Sequence, residues 1–187
     1  MNLMDSIKTY TPYNEQEERD KRVILDFLTH GDKVFSRENQ VAHFTASAWV
    51  VNKARDKVLM IYHNTYNSWA WTGGHADGNE DLLEVAISEV MEETGVHKIK
   101  PVMEAIFSLE VLTVDGHIKR GNYIPSHLHM NVTFLIEGDE REALVVKPDE
   151  NSGVAWVPKD KVSEECSEPW MMKWIYQKLI DKSKNYL

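Results

Sequence analysis

The 187-residue sequence contains one cysteine, Cys166. An internal disulfide is therefore excluded, and so is a zinc site built on cysteines. A lone thiol can be a nucleophile, but nothing around Cys166 sets it apart from an unremarkable side chain. Long apolar runs are also missing, and no stretch reaches the length of a membrane span. The first twenty residues, MNLMDSIKTYTPYNEQEERD, lack the apolar centre of a signal peptide. These absences predict a cytoplasmic protein with no membrane attachment. Positive charge is scarce: 21 Lys and Arg face 30 Asp and Glu, a net charge of −9. That balance argues against nucleic acid as a partner, because phosphate backbones call for basic surface. A small phosphorylated ligand stays open, since a bound metal ion can reverse the local sign. Internal repeats and low-complexity segments are absent as well. No feature fixes the oligomeric state, and a homodimer stays open. What is present is 42% hydrophobic and 27% charged residues, enough for one domain with a real core.

Residues 14–28 read as a helix, with Asn14 as its cap, acids in the first turns and Gly31 as its stop. Its apolar edge (Ile24, Phe27, Leu28) occupies only the second half, as expected of an N-terminal helical extension over residues 1–40 packed on a main domain at 41–187. Residues 43–51 read as a strand, with Phe44, Ala46, Ala48 and Val50 on one face. A turn at 54–57 leads to a second strand at 58–63, giving an antiparallel hairpin. A Gly-rich loop at 72–75 precedes a helix at 81–94 stopped by Gly95. Further strands are expected at 102–114, 126–136 and 154–157. In the second of these, Leu128, Met130, Val132, Phe134 and Ile136 share one face, and His127, His129, Asn131 and Thr133 the other. Pro169 opens a last helix whose buried side should carry Met171, Trp174, Ile175 and Leu179. This order predicts an α/β fold in which helices sandwich a mixed sheet.

Within residues 73–96, GGHADGNEDLLEVAISEVMEETGV, there are seven acids and no Lys or Arg. A solvated helix normally mixes signs, because opposite charges at i,i+4 stabilise it and like charges do not. Glu89, Glu92 and Glu93 stand at i, i+3 and i+4 and share an arc of about 100°. Leu83, Ala86, Ile87 and Val90 fill the neighbouring arc, expected to face the core. The three acids lie in the C-terminal half of the helix, where the macrodipole worsens their repulsion. A hard cation would relieve it, and all-oxygen ligands select Mg²⁺ or Mn²⁺. Taken alone, the triplet fits an exposed acidic helix equally well.

The longer spacing narrows the choice. Gly74, five residues, Glu80, seven residues and then SEVMEETGV over 88–96 resembles the Nudix box, whose pattern is G, five residues, E, seven residues, then R-E-U-x-E-E-x-G-U with U aliphatic. Ser88 alone departs, standing where the family has Arg. The preceding hairpin, Trp71-Thr72-Gly73-Gly74 and the C-terminal helix also resemble Nudix proteins, and the fold resemblance runs over 42–180. It implies an α/β/α Nudix sandwich and hydrolysis of a nucleoside diphosphate linked to another moiety. By the same resemblance Glu89, Glu92 and Glu93 would hold Mg²⁺ with help from the Gly74 carbonyl, while Glu80 and Gly95 would be structural. Glu89 is the first choice of general base and Glu150, ahead of the 154–157 strand, the second; Glu150 reads equally well as a turn carboxylate beside Pro148 and Asp149.

Ser88 cannot pair with Glu80 as an Arg would. A second function class therefore stays open: a Nudix-fold module that binds a nucleotide-like ligand with weak catalysis or none. Isomerisation of isopentenyl diphosphate, found in a Nudix-like branch, is disfavoured because that branch uses a Cys near the entrance to the box. On the substrate side the candidates are His75, His127, His129, Asn131 and Trp71. The two strand histidines and Asn131 would line a pocket or face solvent, His75 would approach substrate or be a loop histidine, and Trp71 would stack on a base or pack in the core. No pattern distinguishes one diphosphate substrate from another.

Overall fold

The computed structural model describes residues 2–119 and 121–186. Its centre is a pair of parallel strands, β1 (Ala42–Val51) and β9 (His127–Gly138), joined in continuous register from Ala42 opposite Leu128 to Val51 opposite Glu137. Every residue of β1 is buried. Both faces of this strand are covered, so its polar members have no solvent to turn to.

The central pair changes partner along each flank. At one end β1 is lined by β4 (Thr72–His75), and at the other it meets β2 (Lys57–His63) through Val51 and Val58. The hairpin expected from the 54–57 turn therefore pairs at its closed end, after which β2 pairs with β3 (Ser68–Ala70) and β10 (Asn151–Pro158). On the far side β9 pairs with β6 (Ser108–Val114) and then with β5 (Ile99–Pro101). Among the described residues this makes one mixed, eight-stranded sheet. A small ribbon of β7 (His117–Lys119) and β8 (Asn122–Ile124) stands apart. Two expectations are corrected. The 72–75 loop is a strand, because Gly73 lets its backbone lie against Ala46 and Ser47, where a Cβ would overlap them. The 102–114 strand is broken, and only Ser108–Val114 remains paired at its end.

Helices cover both faces. On one side α3 (Leu82–Thr94) sets Leu82, Val85, Ala86 and Val90 against Phe44, Ala46, Val132 and Phe134. The buried arc is rotated from the expected one: Leu82 and Val85 are inside, and Leu83 and Ile87 only half-buried. On the other side the C-terminal helices pack Ile175, Tyr176, Leu179 and Ile180 on Trp49, Val51 and Leu135. A π-helical turn at Met172–Tyr176 adds a residue to the repeat. Tyr176 is thereby turned inward, and Trp174, expected inside, is exposed. No helix among the described residues is long and apolar enough to cross a membrane.

The N-terminal segment forms α1 (Leu3–Thr9) and α2 (Glu15–His30), the latter capped by Asn14 as expected. It is fastened by a buried ionic knot. Glu17 of α2 and Glu110 of β6 are fully buried; Lys178 Nζ lies 3.2 Å from Glu17 and 2.9 Å from Glu110, and Lys182 Nζ lies 2.7 Å from Glu17. The Ser108 hydroxyl lies within hydrogen-bond reach of both carboxylates and has one proton to donate between them. Burial alone would raise the pKa of Glu17, but Lys178 and Lys182 more than offset it and hold the carboxyl below its usual range.

Candidate metal and catalytic site

Helix α3 starts where Asp81 accepts the Glu84 amide at 3.0 Å and ends where Gly95 takes a left-handed conformation, φ 73°. Between these caps the helical repeat fixes the acids. Glu93 falls on the buried side with 3% exposure, Glu89 is half-buried, and Glu92 points outward. Strand β4 runs alongside. The Gly73 amide donates to Glu93 Oε2 at 3.1 Å. A Cβ at Gly74 would meet the Glu89 carboxylate, which would have to shift from its place beside Glu93 and Glu150.

Glu150 reaches the site from the turn before β10. That turn is closed by the amides of Glu150 and Asn151, both donating to the Lys147 carbonyl, at 2.9 and 2.8 Å. Asn151 then ties it to the helix, its side-chain amide donating to the Glu93 carbonyl at 3.0 Å. As a result Glu89, Glu93 and Glu150 each place a carboxylate oxygen within 4.8 Å of the others, a set able to hold a metal ion. Glu92 lies outside that set and pairs instead with Lys147 at 3.2 Å; Lys147 also reaches Glu150 at 3.0 Å. Sequence reasoning had grouped Glu92 with Glu89 and Glu93 and had not found Lys147 or Asn151.

The electrostatics follow from this crowding. Burial, then the neighbouring Glu150 and Glu92, push the Glu89 carboxyl up to about 7. Burial and Glu89 push Glu93 up to about 8, against the Gly73 hydrogen bond. Lys147 relieves both only in part. Its own charge is penalised by partial burial but secured by hydrogen bonds to Glu150 and Glu92. Of the other box residues, Glu80 is exposed and forms no ion pair among the described residues, and Ser88 is half-buried.

The proposed substrate-side residues separate. His75, His127 and His129 converge on the sheet face away from α3, together with His43, which sequence reasoning missed. Burial and the surrounding imidazoles drive the His129 pKa down to about 2. Asn131 is buried and committed to the protein: Thr45 and Ser47 donate to it, and it donates to Glu110 and Thr133. It is 1% exposed. Trp71 is a core residue, edge-on to Tyr176 at 5.6 Å. Cys166 is buried against Ser68, and its thiol pKa is raised by burial, the setting of an inert thiol.

Comparison with known proteins agrees with this geometry. A family model described as NUDIX domain matches residues 41–181. Over 50 residues the chain is 40% identical to Nucleoside diphosphate-linked moiety X motif 6 of Xenopus laevis, covering 26% of this chain and 23% of that protein. Over 101 residues it is 28% identical to the Uncharacterized Nudix hydrolase YvcI of Bacillus subtilis (strain 168), covering 54% of this chain and 58% of that protein. The aligned parts thus span less than two thirds of either relative. In fold it is similar to a C. elegans Ap4A hydrolase solved as a binary complex, with a TM-score of 0.55 and 17% identity over 76% of this chain and 96% of that one.

Proposed function

This chain belongs to the Nudix family, and on that premise we propose that it hydrolyses a diphosphate linkage in a nucleoside diphosphate joined to another moiety, with a divalent cation of the Mg²⁺ type. The observation that carries the reading is the convergence of Glu89, Glu93 and Glu150 against the Gly73–Gly74 backbone, with Lys147, shared between Glu150 and Glu92, as the cation paired there among the described residues. Three carboxylates in that setting fit a hard cation, whose oxygen preference they meet. They would be its ligands, with Gly74 contributing its carbonyl and Glu92 standing at the rim. Mn²⁺ suits the same donors. When bound, the cation would neutralise phosphate charge and acidify a water.

The residues of the chain supply the rest. Glu89, half-buried beside Glu93 and Glu150, is the preferred base for taking a proton from water. Glu150, on a turn pinned by Asn151, is the alternative base. Lys147 offers positive charge beside the carboxylates and would attract the diphosphate or yield Glu150 when the cation enters. His75 follows Gly74 in β4 but turns to the other face of the sheet, beside His43, His127 and His129. The Ap4A hydrolase likeness is in keeping with a nucleotide-type substrate.

A second reading rests on Glu80 and Ser88. With Glu80 exposed and lacking an ion-pair partner among the described residues, the usual Arg–Glu brace is missing, which favours a ligand-binding module with little turnover. A panel of nucleoside diphosphate derivatives assayed with Mg²⁺ and Mn²⁺ separates the two. Hydrolysis by the wild type that is lost in Glu89→Gln and Glu93→Gln supports the enzyme. Full turnover in both variants contradicts the assigned residues. A nucleotide-dependent rise in Tm with no turnover across the panel supports the module.

A further inference from the structure

Four histidines meet on the sheet face opposite α3. His43 lies on β1, His75 on β4, and His127 and His129 on β9. The parallel register sets His43 opposite His129, and the two-residue strand period brings His127 to the same face. Ring centroids of neighbouring pairs lie 4.9–5.1 Å apart. One nitrogen from each ring lies within 4.8 Å of the other three.

Two of the rings, His43 and His127, are oriented as metal ligands are oriented. His43 Nδ1 sits 3.0 Å from the Asn39 carbonyl, and His127 Nδ1 2.8 Å from the Pro125 carbonyl. A carbonyl only accepts, so each Nδ1 carries the proton and each Nε2 keeps its lone pair. His43 Nε2 is buried in a residue only 3% exposed and has no hydrogen-bond partner. A buried polar atom left in this way calls for an explanation. His127 Nε2 and His129 Nε2 are already 3.2 Å apart, close to the roughly 3.3 Å between nitrogens of a tetrahedral site with bonds of about 2.0–2.1 Å.

We propose that His43, His75, His127 and His129 form a second metal site, which takes a divalent transition-metal ion of the Zn²⁺ class. Four imidazole nitrogens suit such borderline ions and not Mg²⁺, which requires oxygen. Four protein ligands close a tetrahedral shell, so the site is structural: it clips β1, β4 and β9 together at the strand end where Gly73 and Gly74 meet the carboxylates. Gly74 and His75 are consecutive in β4 and turn to opposite faces, so one short strand would separate an all-oxygen site from an all-nitrogen one. The inference stands independently of the hydrolase reading.

Chelator-treated protein is titrated with Zn²⁺, and separately with Co²⁺, whose visible spectrum reports four-coordination. The expected result is one tightly held Zn²⁺ per chain and a tetrahedral Co²⁺ spectrum, both kept in the Glu89→Gln/Glu93→Gln variant. His43→Gln and His129→Asn should each weaken Zn²⁺ binding by about tenfold or more. X-ray absorption of the wild-type Zn²⁺ form needs no variant to fold and should show imidazole scattering from three or four rings. No bound Zn²⁺, Zn²⁺ lost in the glutamate variant, folded histidine variants that bind it undiminished, or an oxygen-only shell would each overturn the proposal.

Discussion

Glu17 and Glu110 on one side of the fold, and Glu89, Glu93 and Glu150 on another, are carboxylate groups balanced differently. Glu17 and Glu110 are fully enclosed, yet Lys178 and Lys182 are enclosed with them, and two negative charges meet two positive ones. Glu89, Glu93 and Glu150 have only Lys147, which shares itself with Glu92 and leaves Glu89 and Glu93 well above the usual carboxylate range. A buried charge without a partner is costly, and one with a hydrogen-bonded partner is tolerated. The first group is therefore complete as it stands and serves to fasten the N-terminal helix to the domain. The second keeps an excess of negative charge, which the proposed cation would offset.

The contrast can be broken most severely at Lys178. Lys178→Met removes the ion-pair partner of the buried Glu110, and removal of one partner from such a pair costs about 3–5 kcal/mol. Chemical denaturation should show a loss of that size; an unchanged midpoint would mean the knot contributes nothing. At the other group the effect falls on activity. If the enzyme reading holds, Glu89→Gln should lower kcat by roughly 100-fold or more, while the metal-free variant is no less stable than wild type.

The two groups should also respond oppositely to pH. Folded Glu89 and Glu93 titrate near 7 and 8, above their unfolded values, so the folded state holds more protons in between. Their contribution is most favourable below the ordinary glutamate range and declines as pH rises toward 8. Glu17 is depressed, so its contribution is present above the ordinary range and is lost on acidification. Melting the metal-free protein from pH 5 to 8.5 should show a falling Tm that Glu93→Gln flattens. The smallest effect is expected of Ser88→Arg: with Glu80 exposed, any new pair is worth at most about 1 kcal/mol, and turnover should change only modestly.

Local signals were legible in the sequence. Asn14, Asp81 and Gly95 mark helix ends through their own side chains or lack of one, and the spacing from Gly74 to Val96 is a pattern internal to one loop and helix. What escaped depends on pairing between distant segments. His43 is an ordinary strand residue until the parallel register of β1 and β9 sets it beside His129. Nothing near Lys178 and Lys182 in the sequence names Glu17 or Glu110 as their partners. Asn131 alternated correctly onto the polar face, but that face is covered, so it serves the core. Trp174 was misplaced because a π-helical turn shifts the phase that a 3.6-residue period assumes.

The Glu89–Glu93–Glu150 group is proposed to be completed by a divalent cation. Its most direct test is Mg²⁺ titration of chelator-treated protein at pH 7.5, followed by Tm and by calorimetry, in wild type and Glu93→Gln. The account predicts that Mg²⁺ stabilises the wild type in a saturable manner and that Glu93→Gln, already relieved of one charge, gains little or nothing. Equal Mg²⁺ stabilisation of both proteins, or none of the wild type, would contradict it.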